Sequence, residues 1–427
     1  MKHTSLMMHS VLGLAASACV AAPTFDPPAT VSAPQRPAGV AFGDFDGDGD
    51  TDMAVATDAV DKISIFFNNA GVFGAPVNIL TGAGSSPDGL VASDVDGDGD
   101  TDLVVALKNI DTARVYLNNA GTFTAGSSVG TGAGGEPRAL AAGDLNGDGF
   151  DDFVTANREN NTITVLMNDG AGNLTATVVA AGDEPYGVAI GDFTGDGVAD
   201  VASSAHRDRT VLIHSGAAGY AVVQTLTVNP ITRPDGVAAA DFNADGLMDL
   251  AAATSDDVFN AAAIWLNTGT GMGPRTDVAT NGLDSSGIIA ADLDADGDPD
   301  LATSNKDSGT VSVLENTGGV FQPGVSMGAG LSPDRVAAGD VDSDGVPDLA
   351  VSNTDSNTVM IYISQAQAAC SGADLAEPFG QLNFFDISAY LALYNAQDPA
   401  ADLAAPFGTV NFFDISAYLG LFNAGCP

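Results

Sequence analysis

The residues best suited to chemistry are aspartates. "DFDGDGDTD" occupies residues 44–52, and "DVDGDGDTD" occupies residues 94–102. Positions 1, 3, 5 and 9 of such a loop offer oxygen ligands, and glycine at position 6 permits a tight turn. That donor set suits a hard cation. Calcium takes about six to eight oxygens in flexible geometry, whereas magnesium demands an octahedron. Zinc and copper are poor candidates, because the loops contain no His or Cys. The pattern resembles the first half of an EF-hand loop, with Asp at position 9 in place of the distant Glu.

The loop occurs seven times, in steps of 48–51 residues. The first two copies offer Asp44, Asp46, Asp48 and Asp52, then Asp94, Asp96, Asp98 and Asp102. The third and fifth carry Asn at position 3. They read Asp144, Asn146, Asp148 and Asp152, and Asp241, Asn243, Asp245 and Asp249. The fourth has only Asp192, Asp196 and Asp200, with Thr194 at position 3, and is the weakest candidate. The sixth and seventh supply Asp292, Asp294, Asp296 and Asp300, then Asp340, Asp342, Asp344 and Asp348. These loops hold 29 of the 55 acidic residues. Up to seven calcium ions, one per loop, would relieve their repulsion.

The elements that position these loops repeat with them. Each unit has an apolar run, the acidic loop, a second apolar run, a polar turn, a third run, an Asn/Gly turn such as "NNAG", and a fourth run. Runs of this length bounded by Gly, Asn and Asp read as strands. Nearly continuous apolar runs such as "DLVVAL" suit strands buried on both faces. A period near 50 with four antiparallel strands per unit describes the blades of a β-propeller. The seventh unit stops after its third strand. Residues 25–33 ("FDPPATVSA") resemble the missing fourth strand and are expected to complete the last blade. Closure of this kind removes an exposed edge.

The 427-residue chain has 13 basic residues and a formal charge of −42. Nucleic acid and anionic membranes are poor partners for such a charge. Residues 1–22 read as an export signal: Lys2, a short apolar run over 11–20, then Ala21 and Ala22. Cys19 offers an alternative lipidation site, although Ala16 stands where such signals usually carry Leu. No other stretch reads as transmembrane. In an oxidising compartment the remaining pair, Cys370 and Cys426, favours one disulfide.

The seven D-x-D-x-D-G-x-x-D loops resemble the FG-GAP and VCBS repeats of integrin-α-like propellers. The resemblance implies structural calcium in the blade loops, with function on loops at one face of the ring, often in binding proteins or glycans. After a linker at 365–373, residues 374–427 carry one segment twice, as "ADLAEPFGQLNFFDISAYLALYNA" and "ADLAAPFGTVNFFDISAYLGLFNA". Ile387, Tyr390, Leu391 and Tyr394 have the spacing of a helix face. Asn383 with Asp386, and Asn411 with Asp414, resemble helix starts. The duplication, bracketed by Cys370 and Cys426, resembles a dockerin and implies a cohesin-like partner. Ala376 and Pro378, with Ala404 and Pro406, replace the usual calcium ligands there; a plain helical cap is the alternative. The expected fold is therefore all-β: a seven-bladed β-propeller of four-stranded blades over residues 23–364, followed by a small α-helical dockerin-like domain.

No nucleophile elbow, phosphate loop or H-E-x-x-H stretch is present. His206 and His214 flank the third strand of one repeat and read as exposed strand-edge residues. Trp265, Tyr116, Tyr186 and Tyr220 read as blade core, with sugar stacking as the alternative. The sequence thus favours a secreted, calcium-stabilised binding or adhesion module whose propeller takes a glycan or protein ligand. The second reading is an extracellular, lyase-like polysaccharide-degrading enzyme. A basic pair in a cleft would favour that reading. The basic residues, among them Arg207, Arg209, Arg233 and Arg335, are scattered along the chain.

Overall fold

The computed structural model describes residues 23–255 and 260–365, and in the tail positions 387, 390, 391, 393, 394 and 415. Ala22–Ala366 forms one compact unit. It contains seven four-stranded antiparallel sheets. Blade 1 shows the plan: β2 (Pro37–Gly43), β3 (Asp52–Thr57), β4 (Lys62–Phe66) and β5 (Val77–Leu80), paired in that order. The six residues of β3 are all buried, as are those of its counterpart in every other blade, Asp102–Leu107 in blade 2 for instance. Burial on both faces is why these strands read as apolar runs. The fourth strands, such as β5, are mostly exposed.

Blade 7 takes its fourth strand from the other end of the chain. β1 (Ala29–Ser32) pairs antiparallel with Thr358–Tyr362. Phe25 bridges Ser364, and the Asp26 N–H donates to the Ile363 carbonyl at 2.9 Å.

The core lies at the seams between blades. Among the described residues there are seven buried apolar clusters, each drawn from two adjacent blades. The seam of blades 1 and 7, for example, packs Val40, Met53 and Phe66 with Val341, Val359 and Ile361. No blade buries a core alone, so ring closure is a condition of stability. The first strand of each blade faces the central axis, where the strands approach closely. A Cβ on Gly89 would lie 2.2 Å from the Arg138 carbonyl of the next blade. Bare backbone is therefore needed there.

In the tail, Ile387, Tyr390, Leu391, Leu393, Tyr394 and Ile415 are helical. Tyr390 is buried, with its ring centroid 6.5 Å from that of Tyr394. Leu391, placed by its spacing on the apolar face, is exposed. The export signal with Cys19, the Cys370–Cys426 pair, the linker beyond Gln365 and the rest of the duplicated segment lie outside the described residues. Among the described residues no helix is long and apolar enough to cross a membrane.

Candidate functional sites: the aspartate loops and the channel mouth

Each aspartate loop joins the first strand of a blade to the second. In blade 1, both carboxylate oxygens of Asp44 accept backbone N–H bonds, from Gly47 at 2.8 Å and Gly49 at 3.0 Å. The loop bends through left-handed residues at positions 4 and 6. Position 6 has φ between 82° and 95° in all seven copies and is always Gly. Position 4 has smaller φ, 53° to 62° at Ala244, Ala295 and Ser343, a region that residues with a Cβ can enter. The sequence follows this difference.

Position 2 points inward. Phe45, Val95, Leu145, Phe193, Phe242, Leu293 and Val341 are all buried at the seams. Position 9 is buried too, and its role is structural in every blade. Asp52 accepts the Phe45 N–H at 2.9 Å and the Asn68 N–H at 2.7 Å, tying the loop to the turn after β4. Burial pushes the pKa up to about 6 at Asp52, Asp102, Asp249 and Asp348, and to about 8 at Asp300, against the N–H bonds that favour the charge.

The structure brings the expected ligands together unequally. Three carboxylates each place an oxygen within 4.8 Å of the others at Asp44/Asp46/Asp48, Asp94/Asp96/Asp102, Asp292/Asp294/Asp300 and Asp340/Asp342/Asp344. Asp46 Oδ1 and Asp96 Oδ1 are buried with no hydrogen-bond donor. Burial and then the neighbouring carboxylates raise both pKa values. Donorless carboxylate oxygens beside like charges fit a hard divalent cation, so these loops pass the chemical test for calcium. In the third and fifth loops the Asn146 and Asn243 amides donate to Asp148 and Asp245, each at 3.0 Å. Those amides supply internally part of what a cation would. In the fourth loop Asp192 accepts the Gly195 and Gly197 N–H groups, and no carboxylate triplet forms there.

The Asn of the "NNAG" turn has a role that the sequence reading missed. Its side chain crosses to the preceding blade and donates to the position-2 carbonyl. Asn118 reaches Phe45 at 2.8 Å, Asn168 reaches Val95 at 2.9 Å, Asn267 reaches Phe193 at 3.3 Å and Asn316 reaches Phe242 at 2.8 Å. Asn68 closes the ring by reaching Val341 at 2.7 Å. Blades 4 and 7 have Gly216 and Ser364 at this place, where the backbone N–H still binds Asp200 and Asp348.

The five matches decide the family. The FG-GAP-like repeat matches residues 44–105, 94–155, 144–203, 241–303 and 294–351, together more than half of the chain. The chain belongs to the FG-GAP-like repeat family. Each FG-GAP match starts at or near an aspartate loop and runs into the next blade. No curated protein matches the chain. Among solved structures, it resembles BBS1N in complex with ARL6DN, in crystals soaked with mercury and with lead. The first has 12% identity and TM-score 0.57, covering 80% of this chain and 96% of that one. The second has 14% identity and TM-score 0.58, covering 81% and 97%. At such identities the likeness is one of fold.

The other end of the strands carries a different surface. The turns between second and third strands, and the connections into each first strand, surround the mouth of the central channel. The mouth holds a cavity of about 680 Å³. Arg36, Arg138, Arg158, Arg209, Arg233, Lys306 and Arg335 line it, and Lys108 lines the adjoining pocket. Eight of the 13 basic residues thus meet at one place in an acidic protein. Buried Asp88 anchors three of them, with Lys108 and Arg335 at 3.7 Å and Arg138 at 3.8 Å. The Tyr186 ring lies 5.8 Å from the Arg138 guanidinium and 5.2 Å from that of Arg158. Its centroid is 4.8 Å from the His206 ring, and His206 Nδ1 is 2.6 Å from Asp235 Oδ1. Burial raises the Tyr186 pKa, against the pull of Arg158 and Arg138, so the phenol stays protonated.

Three expectations are corrected here. His206 is not a strand-edge residue; it sits in a turn at the mouth and is largely buried. His214 is fully buried in the blade 4 core, with Nε2 2.8 Å from Ser203 Oγ, and burial lowers its pKa to about 4. Tyr186 is not blade core, although Tyr116, Tyr220 and Trp265 are buried. The signal for the mouth was in the repeat register. Lys108, Arg158, His206 and Lys306 all open the turn after the second strand, at intervals that follow the repeat.

Proposed function

We propose that this protein is a secreted, calcium-stabilised propeller that works as a binding or adhesion module, held on a surface or assembly by its dockerin-like tail through a cohesin-like partner. The observation that supports it best is the polarity of the ring. One end carries the aspartate loops, whose donorless carboxylate oxygens suit calcium, and the other carries a polar, cationic cavity. Calcium tightens the turns at the first end, and the ligand, glycan or protein, binds at the second. The BBS1N propeller occurs in complex with ARL6DN, which is consistent with a protein partner for a ring of this kind.

The enzymatic reading keeps one supporting observation: the mouth is the basic cleft that it calls for, with Tyr186 and His206 inside. One experiment separates the two. The full chain in millimolar calcium is incubated with immobilised extracellular polysaccharides and proteins. Retention without release of new chain ends supports the binding module, and release supports the enzyme. Chelation followed by thermal melting tests the calcium. An unchanged melting temperature would count against it.

A further inference from the structure

We propose that the channel mouth is a binding site for the acidic sugar of a uronate-bearing glycan. This rests on the reading of the propeller as a binding module and names its ligand class. The argument starts from charge. The cavity lining has seven Lys and Arg side chains against three carboxylates, Asp235, Asp284 and Asp334, in a chain of formal charge −42. The aspartate loops lie at the opposite ends of the seven-residue first strands. That is roughly 20 Å away, more than two Debye lengths of about 8 Å at physiological salt. Asp58, Asp88, Glu136, Glu159, Glu184 and Asp355 pair with Arg36, Arg138, Arg158 and Arg335, so the pull on an anionic ligand comes from the cations left unpaired.

The donors have work left to do. That work does not fall to Arg138, Arg158 and Arg335, which are already paired with Asp88, Glu136, Glu159 or Glu184. Arg209, Arg233 and Lys306 have no ion-pair partner among the described residues. Guanidinium groups match a carboxylate bidentately. The three lining carboxylates argue against a bare inorganic anion, which they would only repel. They suit a ligand that brings hydroxyl donors along with its negative charge. Of the lining residues only Ile231 and Gly236 are neither polar nor aromatic, whereas pockets for apolar ligands are mostly hydrophobic. A sugar that carries a carboxylate has this mixture of groups. The cavity of about 680 Å³ is large enough for a short stretch of such a chain. Residues 204–240, which supply the mouth residues His206 and Arg209 from blade 4 and Arg233 and Asp235 from blade 5, fall between the family matches. The mouth is thus built in part outside the family pattern.

The test is calorimetric titration of the full chain in millimolar calcium with tetraglucuronate and with cellotetraose, which share a backbone and differ in the carboxylates. Tetraglucuronate is expected to bind with one-to-one stoichiometry and at least about tenfold more tightly, as befits charge-assisted hydrogen bonds. The double variant Arg233→Ala/Lys306→Ala, which removes no ion pair among the described residues, should lose about tenfold while its melting temperature holds. Arg209→Lys, which keeps the charge and loses the planar fork, should weaken binding with little change in folding. Equal affinity for the two tetrasaccharides, no binding of either, or binding that ignores both variants overturns the proposal. If the variants still retain another glycan or a protein as well as the parent does, the binding-module reading survives and this assignment alone falls. Failure to retain any polysaccharide or protein removes the broader reading too.

Discussion

The side-chain amide of Asn68 donates to the backbone carbonyl of Val341 at 2.7 Å, across 273 residues of sequence. This bond joins blade 1 to blade 7, at the seam where the ring closes. The same Asn also gives its backbone N–H to Asp52, so one residue links loop, turn and neighbouring blade. Asn68→Ala leaves a buried carbonyl unpaired. It is expected to cost about 1–3 kcal/mol, read as a lower denaturant midpoint with unchanged slope. A midpoint that does not move would show that the hook is energetically idle.

Ring closure makes a second prediction. Removing residues 23–33 takes β1 from Thr358–Tyr362 and strips its cover from the last seam. The melting temperature should fall by at least about 5 °C. A peptide of residues 23–33 added in trans should restore part of the loss. Closure through β1 would be unnecessary if the truncated ring melted like the parent.

Asp46 separates repulsion from metal binding. Its Oδ1 has no donor, and Asp44 and Asp48 stand beside it. Asp46→Asn removes one of three like charges. In chelator the variant should melt at or above the parent temperature. In calcium it should melt below it, because one ligand is weaker. A site filled to a hundred times its Kd contributes about 2.7 kcal/mol, which sets the scale of the difference. The same sign of change in both conditions would argue against a cation at this loop.

His214 gives the fold a pH dependence of known sign. Its pKa is near 6.5 when unfolded and about 4 in the folded chain, because the buried ring has no room for a charge. Between these values the unfolded state binds a proton that the folded state refuses. Stability therefore falls as pH drops from about 6.5 to about 4, by roughly 3 kcal/mol from this residue. His214→Gln should flatten that part of the stability profile relative to the parent, and identical slopes over the window would exclude the histidine as the cause.

The sequence by itself determined whatever is local and periodic. Seven loops in register specified seven blades. Glycine at position 6 was fixed by a backbone angle that only a residue without a Cβ adopts readily, so it reads directly from the chain. Only the tertiary structure decided which residues meet across the ring. The "NNAG" asparagines recur at the repeat period and still read as turn residues, because their acceptors lie about 73 residues away, or 273 at the closing seam. Likewise Arg36, Arg138, Arg233 and Arg335 are far apart on the chain and converge because each blade places its inner strand on one axis. Position along the repeat fixes height in the ring. Closure turns equal height into contact, and a binding site needs contact.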